Sequence, residues 1–158
     1  MIESAAVATT ALFAGGALVS QTVVVPMWRA MDPAAFLRQF ATYGPLTGGT
    51  VFPFEVASVV LLGVAGYSAT RRRLPSRLMW VLATACMIGT FVLLPVYFLH
   101  ANLAMLRSDF PPQHVHSELA AWYRWNWVRT GLGLAAAVLS CVALGAPGRP
   151  EDDGPPRG

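Results

Sequence analysis

The sequence predicts an all-α protein, a transmembrane four-helix bundle with a short amphipathic interfacial helix in its first outer loop. The first observation is composition: the 158 residues are 55% hydrophobic and only 12% charged, whereas a soluble domain carries about 25% charged residues. The second is three apolar runs, 4–28, 78–99 and 130–148, that contain no charged residue. Since about 20 apolar residues cross the hydrocarbon core of a bilayer, each run is long enough to span it.

Each run is predicted to form one helix of a single membrane domain that covers residues 1–146. Lipid offers the backbone no hydrogen bonds, so a spanning segment must satisfy its amides internally, as a helix does. A fourth run is apolar except for Glu55 and completes the bundle. The predicted spans cover residues 5–26, 51–69, 78–100 and 127–145.

The two chain ends carry different signals. The first apolar run follows Met1-Ile2-Glu3-Ser4, an acidic start, and it is longer than the core of a signal peptide, so we expect a retained helix. Residues 147–158 are polar and rich in proline, which predicts a disordered cytoplasmic tail.

The first outer loop is predicted to contain the interfacial helix, at residues 33–43. Asp32 can accept hydrogen bonds from the free amides of a helix start, and Pro33 suits the first turn. Gly44-Pro45 predicts the end of this helix. Its apolar residues recur at helical spacing, which is typical of a helix lying on a membrane surface. They are Phe36, Leu37, Phe40 and Tyr43.

Charge in the connections predicts orientation. The segment 70–77, between the second and third spans, contains four arginines and is expected to stay in the cytoplasm, which also places both termini there. Four further arginines lie in the outer loops, namely Arg29, Arg38, Arg107 and Arg124. All eleven cations are arginine, and this composition favours a bacterial inner (plasma) membrane. No basic stripe with interleaved aromatics occurs, so we expect the lipid bilayer and no nucleic acid as partner.

Polar residues of the spans concentrate at one depth, near the outer ends. A helix rises 1.5 Å per residue, and by this measure polar positions from all four spans fall into a single thin layer. A charge near the centre of a span costs at least about 2.5 kcal/mol, which favours partners for Glu55. We predict that it pairs with Arg129, with His100 as a further neighbour. The predicted layer contains Gln21, Glu55, His100, Asn102, Asn126 and Arg129.

Two interpretations of this layer remain open. In one, the ion pair only fixes the bundle; in the other, the layer lines a pocket, because ionisable residues inside spans are often functional. Aromatic residues that lead into the fourth span would add to such a pocket. If the helix begins at Pro112, one face carries His114, Glu118, Trp122, Trp125 and Arg129. If it begins at Ser117, His114 drops out.

A His-based metal or haem site is a further hypothesis. His114 and His116, with His100, are the residues that would be involved. Structural and catalytic metal sites need three or four ligands in fixed geometry, and alternate residues of a helix point apart. We therefore predict no metal ligands and no cofactor.

The order of these features resembles a known family. The first span ends in Val24-Val25-Pro26, the second begins Phe52-Pro53-Phe54-Glu55, and the third ends in 95–102, PVYFLHAN. The fourth begins in 122–130, WYRWNWVRT. This pattern, over residues 11–144, resembles the small four-helix membrane proteins grouped with anthrone oxygenases. The chain has Asn126 where relatives often have histidine.

The resemblance implies a cofactor-independent oxygenase, or a binder of a flat, lipophilic phenolic ligand at the outer end of the bundle. Glu55, His100 and Arg129 would be catalytic, with Glu55 removing a proton. The substrate-binding residues would be Gln21, Asn102, Trp122, Trp125 and Asn126. The alternative is a non-enzymatic binding or accessory membrane protein whose polar layer is structural.

Overall fold

A computed structural model describes residues 1–146, and the tail predicted for 147–158 lies outside them. Within the described residues the chain is entirely helical, with no strand. Four helices are each long and apolar enough to cross a membrane, with mean hydropathy from 1.5 to 2.1, and they fit a multi-pass membrane protein. They are α1 (Ile2–Arg29), α2 (Pro33–Arg71), α3 (Arg77–Met105) and α4 (Pro112–Gly145).

The helices form an up-and-down bundle in which each packs along two neighbours. α1 lies against α2 and α4, and α3 lies against the same two helices, while α1 and α3 occupy opposite corners. One end, called the upper end, carries the connections 30–32 and 106–111; the lower end carries both the chain start and the turn 72–76. The predicted bundle of four helices is confirmed.

The expected break after Tyr43 does not exist. α2 runs without interruption through Gly44, Pro45 and Pro53, so the segment 33–43 is the upper part of this 39-residue helix, not a separate one. An internal proline removes one backbone donor and bends a helix, and α2 tolerates this because packing holds both flanking parts. The predicted cap is confirmed: Asp32 Oδ1 accepts hydrogen bonds from the amides of residues 34 and 35, each at 3.1 Å.

The apolar side of this upper part faces protein. Phe36 and Phe40 are buried and pack at ring-centroid distances of 5.7 and 5.6 Å from Trp28. Tyr43 is 57% exposed. The helical spacing seen in the sequence therefore marks a core contact between α1 and α2.

Two helices contain a π-helical turn. In α1 it covers Ser20–Val24 and in α3 it covers Leu94–Phe98. A proline lies at each place, Pro26 just after the first turn and Pro95 inside the second. Because proline lacks an N–H, the carbonyls before it must find other donors, which promotes a wider turn. Such turns are frequent at functional sites, and both lie at the depth of the predicted polar layer.

The core has two clusters with the polar layer between them. The lower cluster is rich in small residues, including Ala65, Ala83 and Ala136, which let helices approach closely. The upper cluster is aromatic and joins Trp28, Phe36, Phe40, Phe98 and Trp122.

The lead-in to α4 begins at Pro112, which resolves the alternative left open by the sequence. Pro112–His114 form a turn of 3₁₀ helix that continues into Val115–Gly145. Ahead of it, Arg107 donates two hydrogen bonds to the Asp109 carboxylate, at 2.9 and 2.8 Å. This bidentate contact lowers the pKa of Asp109.

Candidate functional site

The centre of the polar layer is an ion pair between α2 and α4. Arg129 Nη2 donates to Glu55 Oε2 at 2.7 Å, which confirms the predicted pairing. The Glu55 side chain is fully buried and that of Arg129 is 17% exposed. Removing one member of a buried pair strands the other charge, so loss of either residue alone is costly.

Two aromatic rings hold the Arg129 guanidinium. Its central carbon lies 5.0 Å from the ring centroid of Phe13 and 5.5 Å from that of Phe98. A cation over an aromatic face is attracted by the negative ring surface. These contacts come from α1 and α3, so all four helices position the pair.

Glu55 uses only one of its two oxygens. Oε1 is buried and accepts no hydrogen bond from any group in residues 1–146. A buried carboxylate oxygen without a donor costs free energy, and such an exception in a folded protein calls for an explanation. Both Glu55 and Arg129 line a cavity of about 90 Å³, called the inner cavity. The unpaired oxygen therefore belongs to a residue that a small molecule in this cavity could reach.

The wall of the inner cavity combines aromatic rings with a few polar side chains. Asn102 adds an amide, and its Oδ1 accepts a hydrogen bond from Trp122 Nε1 at 3.1 Å. Ser20 and Thr47 add hydroxyls. The aromatic lining residues are Trp28, Phe40, Phe52, Phe98 and Trp122.

A second cavity of about 320 Å³, called the side groove, lies beside the first between α2 and α3. It adds Pro45, Gly49 and Leu106, and its lining is almost entirely apolar. Six residues line both cavities, so the two lie side by side. They are Phe40, Gly44, Gly48, Phe52, Leu94 and Asn102.

Gln21 and Asn126 form a separate contact between α1 and α4. Both are fully buried, and Asn126 Nδ2 donates to Gln21 Oε1 at 2.7 Å. Gln21 Nε2 reaches the carbonyl of Tyr123 at 3.4 Å. Neither side chain lines the inner cavity, so these two predicted binding residues join helices at the level of the site.

His100 is misplaced in the prediction. It is exposed and lines neither cavity, although Phe98 and Asn102, on the same helix, do. Residues two apart on a helix point about 200° apart, whereas residues four apart share a face. Since Phe98 faces the cavity, Asn102 follows it inward and His100 points away.

Trp125 is also outside the cavity. It is 38% exposed and stacks on Tyr97 at 5.6 Å. Tyr97 in turn donates a hydrogen bond to Glu118 Oε1 at 2.8 Å. The single stripe predicted on α4 is therefore two stripes. Glu118 and Trp125, seven residues apart, face Tyr97. Trp122 and Arg129, also seven residues apart, face the cavity.

The histidine hypothesis gains no support from the described part of the chain. His100, His114 and His116 are all exposed. In residues 1–146, no group of three or more His, Cys, Asp or Glu side chains is close enough to hold a metal ion.

Several lining residues were missed from sequence. The sequence indicates no role for Trp28 and places Phe40 on the interfacial helix. Phe98 could have been found because it lies four residues before Asn102. Ser20 and Thr47 carry no pattern that distinguishes them from other span hydroxyls.

No family model, no curated protein and no solved structure matches this chain. The resemblance to the anthrone oxygenases rests on the short motifs quoted above. The fold and the site define a helical bundle with a buried acid–base pair in an aromatic cavity.

Proposed function

We propose that this chain is a multi-pass inner-membrane protein that binds a flat, lipophilic phenolic molecule at the Glu55–Arg129 pair and oxidises it with dioxygen, without a cofactor. The observation that carries the proposal is the unpaired, buried Oε1 of Glu55 beside the aromatic inner cavity. The arginine-rich turn at the lower end favours a cytoplasmic location for that end and for both termini, and in this orientation the cavity would lie near the outer surface.

The two oxygens of Glu55 have different tasks. Oε2 is held by Arg129, which orients the carboxylate. Oε1 remains an acceptor for a hydroxyl or an acidic C–H of the ligand. A general base must lie within hydrogen-bond reach of the proton that it removes, and a ligand in the inner cavity meets this condition.

The reaction proposed for an anthrone balances without a further reactant. Glu55 takes one proton from the ring methylene, and the resulting carbanion spreads its charge onto the ring oxygen, near the donors Arg129 and Asn102. The carbanion gives two electrons to dioxygen and forms a C–O bond. The proton held by Glu55 converts the resulting peroxide anion into a hydroperoxide, which then loses water together with the second methylene hydrogen. One oxygen atom becomes the quinone carbonyl and the other leaves as water.

The volumes predict how such a ligand lies. Sites for drug-sized molecules measure about 300–1,000 Å³, so the inner cavity, at about 90 Å³, holds only the reacting edge. The remaining rings extend into the side groove, which adds about 320 Å³. Phe52 and Phe40 border both spaces and would contact the ring faces.

The test is turnover of an anthrone by the purified protein in lipid nanodiscs. Quinone absorbance and oxygen consumption are measured for the wild type, for Glu55→Gln and for Glu118→Gln. Loss of a general base lowers the rate about a hundredfold or more, so Glu55→Gln is expected to fall by this factor. Glu118→Gln removes a carboxylate outside the cavity and is expected to retain the wild-type rate. Turnover no faster than with heat-denatured protein would contradict the proposal.

A non-enzymatic binding or accessory role is the second candidate. It is favoured by the Gln21–Asn126 contact, which joins helices at the same depth with no access to the cavity. Under this role, β-hydroxyanthraquinone binds in a Glu55-dependent manner, while an anthrone is not oxidised.

A further inference from the structure

We infer that the ligand enters sideways from the lipid, through an opening between α2 and α3 beside Gly48, and that it is a flat amphiphile with a single hydroxyl at one edge. This inference rests on the proposed function, whose site it extends to an access route and a ligand class.

The position of the two cavities side by side carries this inference. The side groove meets the outside between α2 and α3, and Gly48 and Phe52 line both the groove and the inner cavity, so the inferred route passes beside these two residues. Its rim is apolar: Phe52 is 40% exposed and Leu106 is 37% exposed. A rim of this kind suits a molecule dissolved in lipid.

Glycine keeps the opening free. A Cβ added at Gly48 or Gly49 would meet no atom within 4 Å, so both positions border open space. At Gly44, by contrast, a Cβ would come within 2.9 Å of the Phe40 ring, because that ring already covers the helix. The opening at Gly48 therefore lies one helical turn below Gly44, where the Phe40 ring covers α2.

Access from the upper end is blocked by packed rings. Trp122 lies 6.0 Å from Trp28 and 5.1 Å from Phe98, centroid to centroid, in edge-to-face contacts. All three rings are at least 92% buried, since their exposure is 6, 8 and 2% for Trp28, Trp122 and Phe98. A ligand from that side would have to unpack the upper cluster.

The polarity along the route defines the ligand. The groove is apolar, and at its inner end stands an unpaired carboxylate oxygen that accepts but cannot donate while ionised. A flat apolar molecule with one hydroxyl fits both the apolar groove and the unpaired carboxylate oxygen. A phospholipid does not fit this description, since its phosphate is an anion that Glu55 would repel.

The experiment measures binding of β-hydroxyanthraquinone and of anthraquinone to the protein in nanodiscs, by quenching of tryptophan fluorescence. Trp28 and Trp122 line the inner cavity and report on its occupation. Gly48→Leu fills the opening. Gly63→Leu is the matched control, because Gly63 lies on the same helix with equally open space around its Cβ and borders neither cavity. Empty nanodiscs correct for partition into lipid.

We expect Gly48→Leu to slow association about tenfold or more, with Gly63→Leu at the wild-type rate. The hydroxyl contributes a hydrogen bond to a charged acceptor, so β-hydroxyanthraquinone should bind about tenfold or more tighter than anthraquinone, and Glu55→Gln should remove this difference. Wild-type association in Gly48→Leu overturns the route while the proposed function stands. Equal binding of the two probes by the wild type overturns the ligand class. No binding at all by the wild type overturns both proposals.

Discussion

Glu55 and Arg129 depend on each other because both are removed from water in the same place. The carboxylate is fully buried, and the guanidinium is its only partner among the described residues. A buried pair is not by itself a strong source of stability, but breaking it is costly, since the remaining charge loses compensation.

This asymmetry gives a prediction for a double-mutant cycle. Arg129→Gln should lower the free energy of unfolding by about 3–5 kcal/mol. The double variant Glu55→Gln, Arg129→Gln should recover a large part of this loss, because no charge is left buried. Denaturant unfolding in detergent micelles, followed by far-UV circular dichroism, measures both. Additive losses in the double variant would show that the two side chains do not interact.

For single residues, the sequence predicts the depth of a polar side chain along the bundle but not the direction in which that side chain points. Counting residues from the span ends placed Glu55 and Arg129 in one layer, and their opposite charges predicted the pair. His100 and Trp125 lie at similar depth but on other faces. Their direction depends on the local turn of the helix and on which stripe of α4 meets α3, and neither can be counted from the sequence.

At the scale of the elements, α2 shows how packing overrides a local stop signal. Gly44-Pro45 is typical of a helix end, yet the helix continues because Phe36 and Phe40 pack on Trp28 above it. The existence and order of the four helices follow from hydrophobic length, which is a property of the sequence. The continuous α2 depends on contacts between distant segments, whereas the π-helical turns occur beside Pro26 and Pro95.

The end of α2 allows a prediction about stability. Arg73 has φ 52°, a left-handed conformation, and the next amide, of Leu74, bonds to the carbonyl of Ala69 at 2.9 Å. A left-handed conformation costs a non-glycine residue about 1–2 kcal/mol, so Arg73→Gly should stabilise the protein by about 1 kcal/mol. The measurement is the thermal unfolding midpoint in detergent.

Arg72→Gly is the matched control for this turn. Its φ is −83°, which any residue adopts, and glycine should bring no gain there. A rise in the midpoint for Arg72→Gly equal to that of Arg73→Gly would mean that loss of positive charge, and not backbone conformation, is the cause.

For the whole molecule, the two ends of the bundle differ in charge and in packing. The lower end has Arg71, Arg72, Arg73 and Arg77 around a tight turn, while the upper end has the aromatic cluster. Exposed apolar side chains surround the middle, among them Val60, Val92 and Val138. This arrangement supports insertion with the lower end in the cytoplasm.

Fusion reporters test that orientation. Green fluorescent protein at the C-terminus should fluoresce, and alkaline phosphatase at the same place should be inactive, because both termini are predicted to be cytoplasmic. Changing Arg71, Arg72 and Arg73 to Asn should raise the phosphatase signal by weakening retention of this turn. Changing Arg107 and Arg124, at the upper end, to Asn should leave it unchanged. Strong phosphatase activity in the unmodified fusion would reverse the assignment.

The π-helical turns have a consequence for how relatives of this chain would be compared. Such a turn holds one residue more than an α-helical turn, so it accommodates one extra amino acid within a continuous helix. Deleting one residue within Ser20–Val24 would convert this wider turn into an ordinary α-helical turn and leave the two halves of α1 facing the same directions. An ungapped alignment across this point would pair Gln21 with a lipid-facing neighbour, and a one-residue gap in the middle of a span restores the correspondence.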